Sequence, residues 1–429
     1  GRVRLRLSGK VGQTVTLRHA EVLDNDGRLY TENLRKAAQT DHYTFATDGS
    51  VEWEPAFTFH GFRYVELTGL EGQPDLSAVT GVVLYNEMRP TGEFQCSDPR
   101  LNQLQHNIVW GQKGNYLEVP TDCPQRDERL GWTGDAQVFI RTACHNFDVA
   151  AFISKWMDDL TDDQGADGSL PHVAPDVLTP PDQHTDVGGA PAWADAVVIV
   201  PWTLYQCYGD TTILEDHYDA MAAWIAYQDK TSTGLIRPAM GFGDWLAMDH
   251  PGRADDQTAT PKDLVGTAYF ARTADLMSRI ASVLDRANDA RRYRELFARV
   301  KAAFQREFVT PAGRVLGDTQ TVYALALNFD LLPTEQRASA GERLAQDVRA
   351  HNNHITTGFV GANQITFALT RTGHLDVMYD LLFQDTCPSW LFPVTQGATT
   401  VWERWDGWTP ERGFQNPGMN SFNHYAYGA

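Results

Sequence analysis

Hydrophobic and polar positions alternate along residues 1 to about 93. The runs "RVRLRLSG", "QTVTLRHAEV", "HYTFA" and "FRYVELTGL" carry Val, Thr, Tyr and Phe at period two, separated by Gly, Asp and Asn turns. That period turns one face of a strand inward and the other outward. The region reads as a β-sandwich, with one short helical stretch near "TENLRKAA". "VVLYNEMRPTGEFQCSDPRLN" reads as a last strand leading into a domain boundary.

From Ser97 the period changes. "SDPRLNQLQHNIVWGQKGNY" opens on Ser and Asp and places Pro in the first turn. It then spaces Leu101, Leu104, Ile108 and Val109 along one helical face. The same spacing predicts helices at 135–146, 148–162, 193–207, 213–229, 263–284, 288–308, 318–329, 335–350, 361–371 and 374–383. A last one is expected to begin near Asn420. The stretch Leu264, Ala268, Ala271, Leu276, Ile280 and Leu284 shows the one-faced pattern clearly.

Helices paired by short links, without the 30–45-residue repeat of a solenoid, predict an (α/α)6 barrel. The longer links, 163–192, 231–262 and 384–418, are rich in Pro, Gly, Asp and Trp. Loops of that length in a compact domain usually carry function. The expected architecture is mainly α: a β-sandwich domain over 1–93, then an (α/α)6-barrel domain over 94–429. The chain opens on a strand pattern and closes on a helical one. Both ends are expected to be cuts in a longer protein.

Composition narrows the partners. The 429 residues carry a net charge of -19, with a pI near 5.0. Such a surface repels phosphate backbones, so nucleic acid is not an expected partner. No apolar run is long enough for a transmembrane helix. Five cysteines without metal-like spacing make no disulfide framework. With no visible signal peptide, they lean towards a reducing, cytoplasmic compartment. The chain also holds 12 Trp, 15 Tyr and 20 Phe. Most such rings pack in cores, but flat rings also bind the apolar face of a pyranose.

The densest polar chemistry is "TDCPQRDERLGWTGD" at 121–135, which holds Asp122, Asp127, Glu128 and Asp135. A plain solvated loop does not need Pro124, Gly131 and Gly134 to fix its backbone, nor Trp132 on its surface. Crowded carboxylates push some pKa values up, while Arg126 and Arg129 can hold others ionised. A protonated acid near ionised partners suits glycoside hydrolysis. Divalent-cation binding is the other use of such crowding, but the D-x-D-x-D-G calcium pattern is missing. Glu403, in "TTVWERWDGW", stands between Trp402 and Trp405 in a long loop. The residues alone equally allow an ion pair there, with Arg404 or Arg412. In "TPPDQHTDVGGAPAW", Asp182, His184 and Asp186 form a mobile rim loop or, less simply, a metal clip.

"DCPQRDERLGWTGDAQVF" strongly resembles the catalytic-domain signature of the bacterial α-L-rhamnosidases of glycoside hydrolase family 78. "RPTGEFQCSDPRLN", "FGDWL", "TGFVGANQ", "TTVWERWDGW" and "NSFNHYAYGA" extend the resemblance along the chain. It implies an (α/α)6 barrel between β-domains and hydrolysis with inversion. Carried over by motif, the general acid falls on Glu128 and the water-activating base on Glu403. Asp122 and Asp135 are implied to grip rhamnose hydroxyls. Trp132, Trp245 and, by a looser match, Trp193 are implied to wall the sugar. Asp244 is expected beside Trp245 in the same pocket, and His424 to contact substrate.

The implied partner is a rhamnose-containing glycoside or oligosaccharide, released as terminal non-reducing rhamnose. No metal or organic cofactor is expected to take part in the chemistry. Two other readings stay open: another (α/α)6 glycosidase or phosphorylase with a different sugar, and a non-catalytic sugar-binding protein. Oligomeric state and aglycone are not legible.

Overall fold

A computed structural model describes residues 1–180, 188–250 and 258–429. By proximity of Cα atoms the chain forms two compact units. One comprises Gly1–Glu87, Gln105–Leu130 and Ala398–Tyr425; the other comprises Met88–Leu104, Gly131–Gly397 and Ala426–Ala429.

The N-terminal segment of the first unit carries the strands β1 (Arg2–Gly9), β2 (Thr14–Ala20), β3 (Val22–Leu23), β4 (Leu29–Tyr30), β5 (Thr40–Thr44), β6 (Gly49–Trp53), β7 (Tyr64–Thr68) and β8 (Val79–Val82). Two antiparallel three-stranded sheets form, in the orders β6-β1-β8 and β5-β2-β7, and β3 pairs with β4. The alternation is the cause. In β1, Val3, Leu5 and Leu7 turn inward and join Val15, Leu17 and Phe45 in one apolar cluster. The alternate residues Arg2, Arg4 and Arg6 point outward and pair with Glu54 and Glu52 across the strands. β6 and β8 were not singled out in the sequence. "TENLRKAA" yields only a single turn at Glu32–Leu34, and the expected last strand stops at Val82.

The helices are α1 (Pro99–Asn115), α2 (Thr133–Asn146), α3 (Ala150–Asp162), α4 (Ala196–Tyr208), α5 (Thr212–Asp216), α6 (Tyr218–Thr231), α7 (Lys262–Val283), α8 (Ala287–Phe308), α9 (Gln320–Asn328), α10 (Thr334–Ala350), α11 (Phe359–Arg371), α12 (Leu375–Phe383) and α13 (Leu391–Thr395). Within the second unit, α2 packs on α4, α4 on α7, α7 on α9, α9 on α11, and α11 back on α2. The turn at Ala426–Gly428 touches both α2 and α11. This is a closed inner ring. Its members are apolar nearly all round: Ala136 through Ile140 of α2 are all buried, as are Gln320 through Leu327 of α9. Outer α8 is amphipathic instead and buries only the stripe Ala290, Tyr293, Leu296, Val300, Ala303, Phe304 and Phe308. A mainly helical chain with an N-terminal sheet domain is what the periodicity predicts.

Two differences are local. The single helix expected over 213–229 is broken at His217 into α5 and α6. The helix expected from Asn420 does not form there, and only Ala426–Gly428 is helical.

Candidate active site

The acidic segment is a closed loop with pinned ends. Asp122 N–H donates to the Leu130 carbonyl at 3.0 Å, and Leu130 N–H donates to Asp122 Oδ1 at 2.9 Å. The loop also lies hard against the sheet domain. A Cβ on Gly61 would come within 2.6 Å of the Pro124 ring, so only glycine fits there.

Arg126 is the centre of the loop and is 1 % exposed. Its Nη1 donates to Glu403 Oε2 at 2.8 Å, and its Nη2 donates to Glu403 Oε1 at 3.1 Å. The same Nη2 stands 2.9 Å from Glu128 Oε2 and 3.4 Å from Asp122 Oδ2. One buried guanidinium thus gathers three carboxylates, one of them 277 residues along the chain from it. Arg35 Nη2 stands a further 2.9 Å from Glu128 Oε2. At Glu128 both contacts are off-axis ion pairs rather than aligned hydrogen bonds. Glu128 and Glu403 each place an oxygen on Arg126 Nη2. Those oxygens lie no further apart than the two contacts laid end to end.

Environment separates the acids. Burial alone would raise Glu403, but Arg126, His424 and the hydrogen bonds from Arg126 outweigh it and hold the carboxyl below its ordinary 4.5. Asp122 is pushed up to about 7, by burial first and by the Glu128 charge second, against the pull of Arg126 and His424. His424 is buried, and its backbone N–H donates to the Val401 carbonyl at 2.8 Å. Its charge is felt at both Asp122 and Glu403, so it belongs to the same cluster.

The ion pair weighed for Glu403 with Arg404 or Arg412 does not form. Both arginines pair with Asp406 instead. Arg129 holds no carboxylate either. It donates to the Phe59 carbonyl and lies over the Phe59 ring. Asp127 is exposed and makes no ion pair among the described residues.

Sequence reasoning missed two residues of this cluster, Arg35 and Glu21. Glu21 sits just past β2 and is 5 % exposed. Its carboxylate accepts from Phe422 N–H at 3.0 Å, Ser421 Oγ at 3.3 Å and Asn33 Nδ2 at 3.0 Å. Ser421 in turn accepts, through its carbonyl, the Glu403 N–H at 2.9 Å. Glu21 therefore positions the strand of chain on which Glu403 hangs. Burial pushes its carboxyl up to about 7 against the hydrogen bonds it accepts. The only local sign of this was an acid inside the apolar "HAEVL".

The helical unit holds the remaining expected residues. Trp132 precedes α2 and bridges to Val173, and Asp135 is buried in the first turn of α2. An acid there is favoured by the helix dipole. Phe242 gathers a ring of aromatics: Trp132 at 5.6 Å, Trp193 at 4.7 Å, His172 at 5.1 Å and Trp245 at 6.1 Å. Trp193 is 2 % exposed and so tight against Gly134 that a Cβ there would enter its ring at 2.4 Å. The indole nitrogens of Trp132 and Trp193 and Nδ1 of His172 are buried without a hydrogen bond.

Asp244 is buried in the helical unit. Its Oδ1 accepts from Val360 and Gly361 N–H at 3.0 and 3.1 Å. Its Oδ2 accepts from Gly358 N–H at 2.8 Å and from the Thr321 hydroxyl. The carboxylate thus holds the start of α11 through three backbone N–H groups and ties it to α9 through the Thr321 hydroxyl.

A cavity of about 620 Å³ in this unit is lined by Arg141, Tyr269, Arg272, Asn363 and Phe367, none of them an expected site residue. Asp182, His184 and Asp186 lie outside the described residues.

Comparison with known proteins fixes the family. The bacterial α-L-rhamnosidase six-hairpin glycosidase domain matches residues 89–429. The chain belongs to the bacterial α-L-rhamnosidase family. The concanavalin-like domain of the same family matches residues 1–85. An α-L-rhamnosidase of Streptomyces avermitilis is 50 % identical across the whole chain, and one of Formosa agariphila is 44 % identical across 99 % of it. The chain spans 40 % and 46 % of those two relatives, somewhat under half their length. The structure of the Streptomyces avermitilis enzyme complexed with L-rhamnose superposes with a TM-score of 0.94. It is 50 % identical, and the match covers all of this chain and 40 % of that one. The Aspergillus terreus α-L-rhamnosidase follows at 0.91 and 38 % identity, covering all of this chain and 50 % of that one.

Proposed function

We propose that this chain carries the catalytic region of an α-L-rhamnosidase that releases terminal non-reducing α-L-rhamnose with inversion at the anomeric carbon. The observation that carries the reading is the buried Arg126 cluster, in which two glutamates from distant motifs meet one guanidinium.

Glu403 is the general base. Its position beside Arg126 keeps it ionised, as a base that takes a proton from water must be. Glu128 is the general acid. It is the more accessible of the two, with its side chain 14 % exposed against 2 % for Glu403. It protonates the glycosidic oxygen as the aglycone leaves. Asp122 and His424 contact sugar hydroxyls, and negative charge in the cluster favours the oxocarbenium-like transition state.

The near oxygens of the two glutamates, both on Arg126 Nη2, sit closer than the roughly 6.5–9.5 Å between the carboxyl groups of inverting pairs. On this reading, substrate draws Glu128 off the guanidinium and onto the leaving oxygen, which opens room for water. Inversion rests on the family resemblance. Trp132, Trp193, Trp245 and Asp135 are proposed to contact the sugar. In support, the unpaired indole nitrogens of Trp132 and Trp193 are donors that a hydroxyl would satisfy.

The test is hydrolysis of aryl glycosides of several sugars, with the first-formed anomer followed by NMR. Preference for α-L-rhamnoside with first release of the inverted β-anomer is expected. Glu403→Gln is expected to abolish turnover. Comparable rates on β-D-glucoside would overturn the substrate, and first release of the α-anomer would overturn the base role of Glu403.

A further inference from the structure

A second cluster of chemistry-bearing side chains lies inside the sheet domain. His19 is on β2, Asp41 on β5, and His60 in the connection between β6 and β7. Leu17 pairs with Asp41 across the strands, so His19, two residues on, falls on the same face as a diagonal neighbour of Asp41. Nε2 of His19, a carboxylate oxygen of Asp41 and Nε2 of His60 all lie within 4.8 Å of one another.

The tautomer of His19 is fixed by its partner. Nδ1 of His19 stands 3.1 Å from the Gln39 carbonyl, which can only accept, so Nδ1 carries the proton. Nε2 then presents a bare lone pair. Its side chain is 0 % exposed, and no hydrogen bond reaches Nε2. The nearest partner, Asp41 Oδ2, is 3.9 Å away and has no proton to offer when ionised. A buried acceptor with nothing to accept costs free energy. An imidazole whose Nδ1–H is tied to a backbone carbonyl while Nε2 faces a carboxylate and a second imidazole is arranged as metal ligands are.

We propose that His19, Asp41 and His60 form a structural site for a divalent first-row transition cation, with zinc the fitting ion. Two imidazoles and one carboxylate are borderline ligands that suit zinc rather than calcium or magnesium. Ligands at about 2.0–2.2 Å from a tetrahedral ion stand roughly 3.4 Å from each other. The observed 3.0 Å (His60 Nε2 to Asp41 Oδ2) and 3.9 Å (His19 Nε2 to Asp41 Oδ2) bracket that spacing. On binding, the proton that His60 Nε2 now shares with Asp41 moves to Nδ1 of the same ring or to solvent. The cation ties β2, β5 and the 59–61 connection together. That connection is what the acidic loop rests on, through Gly61 against Pro124 and the Phe59 carbonyl against Arg129.

The test is metal binding to the full chain after chelator treatment and dialysis. One equivalent of zinc per chain is expected by elemental analysis, with a rise in Tm on its addition. Cobalt(II) in its place is expected to give visible d–d absorption of tetrahedral strength without a thiolate charge-transfer band. His60→Gln and His19→Gln, checked for folding by circular dichroism, are each expected to weaken binding at least tenfold. Stoichiometry near zero, a thiolate band, or full binding by both folded variants overturns the proposal. The cobalt spectrum of the unmutated chain decides the matter even where a variant does not fold.

Discussion

Replacing Arg126 with Met removes the one cation that faces Asp122, Glu128 and Glu403 together, while keeping most of the volume. The Glu403 contact alone sets the scale. Charge centres about 4 Å apart at an effective dielectric near 20 attract by roughly 4 kcal/mol. Arg126 is fully buried and bonds both Glu403 oxygens, so little of this is lost to screening. Without it, burial is opposed only by His424 and the Ser421 backbone, and Glu403 rises from its depressed value. On the proposed role of Glu403, the acidic limb of kcat/KM is expected to move clearly to higher pH.

Stability must follow the same linkage. In the unmutated chain Glu403 is depressed on folding. Its contribution is therefore present above the unfolded value near 4.5 and is lost as pH falls through the lower folded value. In Arg126→Met the sign reverses. Folding then favours the protonated acid, so the loss of stability grows as pH rises. About 3–5 kcal/mol is expected near pH 8, with less at pH 5. The assays are kcat/KM against pH on an aryl α-L-rhamnoside and urea unfolding at both pH values. An acidic limb within half a unit of the unmutated one would refute the claim that Arg126 keeps the base ionised. So would a stability loss that is equal at both pH values.

Glu128→Gln is expected to cost 10²–10⁴-fold in kcat on a natural rhamnoside and much less on an aryl substrate with a good leaving group; equal losses on both would remove it as the acid. Asp244→Ala is expected to lower Tm through the lost cap, a stability loss of about 1–2 kcal/mol or more, with KM unchanged in the folded fraction; a raised KM at unchanged Tm would show that Asp244 contacts the sugar instead. Glu21 has a folded value raised to about 7, so its carboxylate destabilises progressively as pH climbs from about 4.5 to 7. Glu21→Gln is therefore expected to gain relative stability at pH 8 over pH 5, read by thermal unfolding, and a pH-independent difference would show that Glu21 does not titrate in that window. Gly134→Ala is expected to unseat Trp193 and raise KM for the rhamnoside more than it lowers Tm.

What the sequence revealed and what it hid divide by the range of the physics. Helices α7, α8 and α10 fall within two residues of their predicted bounds, because a buried stripe repeats within the helix itself. The strands "RVRLRLSG" and "FRYVELTGL" were readable for the same reason, while β8, two valines around Thr80 and Gly81, was too short to show a period. Asp122 and Glu128 announced themselves by crowding, but their counter-ion could not be ranked. Arg126 and Arg129 look alike in "QRDER", and only closure of the chain gives one to Glu403 and the other to a carbonyl. The partners of Asp244 were hidden for a related reason: Gly358, 114 residues on, brings the helix terminus whose N–H groups it accepts from. Glu21 and Arg35 left almost no trace, since their partners Phe422 and Gly418 lie about 400 residues away and no local pattern encodes that meeting. The acid in "HAEVL" is nevertheless the general clue. A carboxylate inside an apolar run has to be satisfied when that run is buried, and what satisfies it here is the Phe422 N–H, next to the Ser421 carbonyl that accepts from Glu403 N–H.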